Sequence, residues 1–112
     1  MDDCFRFQDV RMRFSIKGEG PALMLVHGFT ESRNIWFDFA DELSRDYTVI
    51  MPDLPGHGES ALTPDLSMDS MSDMLNHLLE RLEIPEVILI GHSMGGYVSC
   101  RFAEKHSSKV TG

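Results

Sequence analysis

Long apolar runs are missing from this sequence of 112 residues, and none approaches the ~20 residues that a membrane-spanning helix requires. The N-terminus, Met1-Asp2-Asp3-Cys4-Phe5-Arg6, lacks the basic start and apolar stretch of a secretory signal, so the expected location is the cytoplasm. Cysteine is scarce. Cys4 and Cys100 stand far apart without metal or redox spacing, which suits two free thiols in a reducing compartment. Basic clusters are also missing. With 18 acidic against 10 basic residues the net charge is −8, which offers nucleic acid no footprint and repels anionic headgroups. Neither nucleic acid nor membrane is an expected partner. The five histidines show no metal-ligand spacing, and no glycine loop is followed by the Lys-Ser/Thr of a phosphate-binding loop. No metal and no cofactor are therefore expected. Repeats and low-complexity stretches are absent, and one domain of modest size fits the length.

What is present is a clear alternation of elements. Val10, Met12, Phe14 and Ile16 alternate with polar residues, as Phe5 and Phe7 do before them, which predicts a hairpin turning near Gln8-Asp9. Three continuous apolar runs, Ala22–Val26, Tyr47–Met51 and Val87–Ile90, predict strands covered on both faces, as in parallel sheets. Helical spacing joins Ile35, Trp36, Phe39, Ala40 and Leu43, with Ser32 or Asn34 as N-cap. A second stripe runs through Met68, Met71, Leu75, Leu78, Leu79 and Leu82, capped by Ser67 and stopped by Pro85. Its methionines, Met74 included, read as core packing. A third helix runs from about Ser93 to His106. Strands alternating with helices after a hairpin predict right-handed crossovers in a mostly parallel sheet.

The sharpest chemical signal is Gly91-His92-Ser93-Met94-Gly95-Gly96, between the strand Val87–Ile90 and the third helix. A strand that reverses directly into a helix strains its central residue and tolerates only small residues two before and two after. Ser93 is thereby presented as a nucleophile, and the N–H of Met94 faces developing negative charge at a helix N-terminus. After the strand ending at Val26 comes His27-Gly28-Phe29, where Gly28 allows a turn that aims the Phe29 N–H at the same point. Two such donors make an oxyanion hole. His27 itself reads as a buried histidine that ties loops together. In Asp53-Leu54-Pro55-Gly56-His57-Gly58-Glu59-Ser60, Asp53 and Ser60 are expected to satisfy backbone N–H groups of a tight loop. Trp36, expected to pack under the oxyanion loop, and His57 are the two candidates for lining a substrate pocket. His92 is turned away from Ser93 by the elbow, His77 is expected on the solvent side of its helix, and His106 ends the third helix.

Taken together, His27-Gly28-Phe29, Asp53 to Ser60 and Gly91 to Gly96 stand in an order and at intervals that resemble the α/β-hydrolase superfamily. The likeness covers nearly the whole chain. It is similar to the epoxide-hydrolase-like and meta-cleavage-product-hydrolase-like branch, which includes the menaquinone-pathway lyase. Epoxide hydrolases and haloalkane dehalogenases carry Asp where Ser93 stands here, so the resemblance implies hydrolysis of a small ester, thioester or C–C bonded carbonyl substrate through an acyl-enzyme. It also implies a single incomplete domain over residues 1–112, an N-terminal portion of the α/β-hydrolase fold that ends near the start of the sixth strand. In the superfamily the triad runs from Ser to an acid to a His, and neither partner position falls within this sequence. Two alternatives stay open: a non-hydrolytic lyase of the same fold, and a catalytically inert fragment or interaction piece. The strand Val87–Ile90, left without its sixth neighbour, predicts a homodimer or other association through an open sheet edge.

Overall fold

The hairpin turn is made by two adjacent residues with positive φ, Gln8 at 51° and Asp9 at 63°. That is the two-residue turn whose twist matches the strands it joins. It links β1 (Asp2–Phe7) to β2 (Val10–Lys17) in the computed structural model, which describes residues 1–112. Three further strands follow, β3 (Ala22–Val26), β4 (Thr48–Pro52) and β5 (Ile88–Gly91). The sheet is open and mixed, in the order β1-β2-β4-β3-β5. β1 and β2, and β2 and β4, pair antiparallel, whereas β4, β3 and β5 run parallel. The expected runs are thus strands, with β4 and β5 displaced by one residue.

Alternation along the central strands divides the core in two. Met24, Val26 and Ile50 point to one face, where α2 (Met68–Arg81) and α3 (Met94–Lys105) cover them with Met71, Met74, Leu75, Leu78, Leu79, Val98 and Phe102. Leu23, Leu25, Val49 and Met51 point to the other, where α1 (Phe37–Leu43) supplies Ala40. Each fully buried Leu or Phe contributes about 1.5–3 kcal/mol, so most stability lies on the α2–α3 side.

The second helix starts as expected, with the Ser70 N–H donating to the Ser67 hydroxyl at 3.1 Å. It ends at Arg81, before Pro85, because Glu83 takes the left-handed conformation at φ 57°. Met68, expected on its buried stripe, is exposed. The first helix departs further from expectation. Ser32 caps a short 3₁₀ turn, Arg33–Trp36, and α1 begins only at Phe37. Ile35 and Phe39, expected to be buried, are exposed. The cause is Arg33, whose N–H and guanidinium are both drawn to Asp53 and pull this turn toward the sheet.

At the outer edge of β5 the chain makes only a short approach. Thr111 N–H donates to Val87 at 2.9 Å and Leu89 N–H to Gly112 at 3.1 Å, around one parallel bridge between Val87 and Val110. No helix is long and apolar enough to cross a membrane.

Candidate active site

Only His92 and Ser93 separate the last residue of β5 from the first of α3. The reversal leaves Ser93 at φ 56° and ψ −120°, a conformation that costs a non-glycine residue on the order of 1–3 kcal/mol. Two glycines make it feasible. A Cβ on Gly91 would stand 2.4 Å from the Gly95 carbonyl oxygen, and one on Gly95 would stand 2.1 Å from that of Val26. The glycine spacing around Ser93 is therefore a steric requirement of packing α3 directly against β5 and β3. Ser93 is exposed and its side chain caps nothing. The N–H of Met94, at the first position of α3, has no partner inside its own helix. Gly96 accepts far more freely than Gly95: a Cβ there would meet nothing closer than 3.7 Å.

The loop after β3 abuts this turn. A Cβ on Gly28 would lie 3.0 Å from both the Ser93 Cβ and the His92 carbonyl oxygen. The Gly28 N–H donates to Glu31 Oε1 at 2.6 Å, and His92 Nδ1 reaches the same oxygen at 3.1 Å. The Gly28 N–H holds the Glu31 carboxyl below its ordinary range, helped by His92. Glu31 thus staples the two loops together. Nothing in the sequence singles it out, because its partners are a backbone N–H and a residue 61 positions away. The His92 side chain, 59% exposed, points to Glu31 rather than to Ser93.

His27 is fully buried. Leu54 N–H donates to its Nε2 at 3.0 Å, which makes that nitrogen an acceptor and places the ring proton on Nδ1, 2.8 Å from the Gly28 carbonyl. The ring is neutral and joins the loops after β3 and β4. Burial pushes its pKa down from the ordinary 6.5. The unfolded chain therefore binds a proton at His27 that the folded chain refuses. This contribution to stability is complete above pH 6.5 and is lost as pH falls from there through the lowered folded value. Urea titrations of the wild type and His27→Gln between pH 7.5 and 5 are expected to show a steeper loss for the wild type. Parallel curves would reject the assignment.

Phe29, whose N–H was expected in the oxyanion hole, has an exposed ring packed edge-on against His57 at 5.6 Å. His57 in turn lies 5.2 Å from the His27 ring, with Nδ1 held 3.0 Å from the Pro55 carbonyl. It stands at the same sheet edge as Ser93, in contact with the loop after β3. Trp36 packs against the small core cluster on the α1 side, tilted on Phe39. His77 is exposed beside Phe5 and Phe7, and His106 packs on Phe102 at the end of α3.

Beneath the loops lies a buried ion pair. The Arg33 side chain is 4% exposed and that of Asp53 is wholly buried. Arg33 Nε donates to Ser15 Oγ at 2.8 Å, and its two terminal nitrogens reach Asp53 and Glu59. Burial opposes the guanidinium charge, but Glu59 and Asp53 outweigh it and raise the pKa. Asp53 also accepts the N–H groups of Arg33 and Glu59, both at 2.8 Å. Ser60 donates to the Asp53 carbonyl and accepts from the Arg13 N–H. The architectural role expected of Asp53 and Ser60 is what their contacts show, whereas Arg33 is a residue that sequence reasoning missed.

The alpha/beta hydrolase fold family matches residues 21–112. An acetyltransferase component of the acetoin cleaving system, from Pseudomonas putida, is 44% identical over 92 residues, which cover 80% of this chain and 25% of that protein. A fluoroacetate dehalogenase from a Burkholderia species is 34% identical over 108 residues, or 91% of this chain and 36% of its own. The structure of an esterase from a marine microorganism superposes with a TM-score of 0.86 at 35% identity, over 88% of this chain and 38% of that one. The chain thus spans between a quarter and two fifths of the length of these proteins. The chain belongs to the alpha/beta hydrolase fold family.

Proposed function

We propose that this chain carries the nucleophile and the oxyanion hole of a serine hydrolase acting on a small ester, thioester or C–C bonded carbonyl substrate. The observation that carries the reading is Ser93 itself, exposed and held at φ 56° and ψ −120° between β5 and α3. Ser93 Oγ attacks the substrate carbonyl carbon. The oxygen of the tetrahedral intermediate takes hydrogen bonds from the N–H groups of Met94 and Phe29, and collapse expels the leaving group to form an acyl-enzyme. The Ser93 proton passes to a base. No resident histidine is hydrogen-bonded to Ser93: each makes the other contacts described above. We therefore place the acid and the histidine of the triad outside these 112 residues.

The reading is tested with p-nitrophenyl acetate and peptide mass spectrometry of the 112-residue chain. Acetylation at Ser93 is expected to run about 10³-fold above background, the residue of catalysis that an oxyanion hole and binding retain without a base. Ser93→Ala is expected to abolish the adduct. An acetyl group found on another residue, or equal labelling in both chains, would refute the proposal.

A further inference from the structure

At the far edge of the sheet from Ser93, the first hairpin and the C-terminal half of α2 enclose a cleft of about 500 Å³. Its walls are Cys4, Phe5, Arg6, Arg11, His77 and Arg81. Arg6 and Arg11 are direct cross-strand partners, an arrangement of like charges that destabilises a hairpin. Arg81 adds a third positive charge from the last turn of α2, one turn after His77. No carboxylate lies within ion-pair distance of any of the three arginines. Elsewhere in this acidic chain Lys17, Arg33, Arg101 and Lys105 have acidic partners, whereas Arg13, Arg45 and Lys109 have none.

We propose that the cleft is a binding site for a phosphate group, carried as a phosphate monoester. A guanidinium offers only donors, in a planar fork that fits phosphate oxygens two at a time. Arg6 Nη2 already donates to the Asp9 carbonyl oxygen at 2.5 Å. That leaves the forks of Arg11 and Arg81, from two elements, to share the three terminal oxygens of a phosphate monoester, whereas the two oxygens of a carboxylate are satisfied by a single fork. Walls of low dielectric concentrate the positive field in the cleft, so an anion is drawn there even though the chain as a whole repels it. The exposed His77 ring, stacked at 6.1 Å on the buried Phe5, offers a flat wall for the organic part of the ester. The site involves no atom of the serine turn, so it stands or falls separately from the hydrolase reading.

Cys4, a half-buried free thiol in the wall, serves as the reporter, and the exposed Cys100 as internal reference. Alkylation of both by iodoacetamide is followed by peptide mass spectrometry at constant ionic strength. The additions are inorganic phosphate, glycerol 3-phosphate, or phosphatidylcholine vesicles with and without phosphatidic acid. Saturable slowing at Cys4 alone is expected, by about threefold or more near saturation. In Arg11→Gln and in Arg81→Gln the concentration needed is expected to rise about tenfold, whereas Arg45→Gln, away from the cleft, leaves it unchanged. Protection by the dissolved phosphates identifies a soluble ligand. Protection only by vesicles carrying phosphatidic acid identifies a lipid headgroup with the same chemistry. Absence of saturable protection from every addition overturns the proposal, as does protection unchanged in both glutamine variants. The two substitutions are exposed and lie on different elements, so one that failed to fold would leave the other to decide.

Discussion

Arg33→Ala is expected to lower folding stability by about 3 kcal/mol, near the bottom of the 3–5 kcal/mol range for breaking a buried pair. The reason is what it leaves behind. Asp53 is wholly buried, and its carboxylate would keep two backbone N–H donors, those of residue 33 and Glu59, but lose its only charged partner. Those two donors are why the loss is not larger. Ser15 Oγ would lose its Nε partner as well. The contact with the exposed Glu59 carboxylate adds little, since solvent screens it. A small domain has roughly 5–15 kcal/mol in total, so the variant would be marginal at 25 °C. Urea unfolding is the measurement, and Glu59→Gln is the contrast, expected within about 0.5 kcal/mol of wild type. An Arg33→Ala loss below that of Glu59→Gln would show that the buried pair contributes nothing.

The adjacent glycines of the serine turn are expected to respond in opposite directions. Gly95→Ala drives a methyl group to 2.1 Å from the Val26 carbonyl oxygen and 2.4 Å from that of His27. Both are backbone atoms of a central strand and its loop, so no side chain can swing aside. Helix α3 must lift away from β3, at a cost of about 3 kcal/mol, and Ser93 moves with it. Gly96→Ala meets only the Gly91 carbonyl at 3.7 Å, an ordinary contact. Exchanging glycine for alanine in a helix gains about 0.5–1 kcal/mol, so this variant is expected to be slightly more stable than wild type. Unfolding midpoints of the three chains decide the matter. Equal losses in both variants would mean that α3 does not pack on β3 as described. Acetylation at Ser93 should fall in Gly95→Ala and persist in Gly96→Ala.

Much of the architecture was legible because it follows from local periodicity. Period-two patterns gave away the hairpin, and the apolar runs the parallel strands. The Gly-His-Ser-Met-Gly-Gly stretch declared its turn through glycines that backbone sterics demand. The first helix misled because helical spacing reports an apolar face without saying what covers it. Here a 3₁₀ turn, set by Arg33, rotates that face, and Ile35 and Phe39 end in solvent. Glu31 and Arg33 escaped notice for one reason: each acts on backbone or side-chain groups brought near only by folding.

What the sequence by itself determined is the set of elements, their order and the serine at the strand-to-helix turn, since all of these rest on interactions between near neighbours. Tertiary structure alone decided how closely the Val26 and His27 carbonyls back Gly95 and which ring nitrogen of His27 carries the proton. It also paired a lone arginine with Asp53 and gathered Arg6, Arg11 and Arg81, 75 positions apart at their extremes, into one cleft. Charge and close contact depend on distance in space, and chain position does not encode that distance until the sheet has assembled.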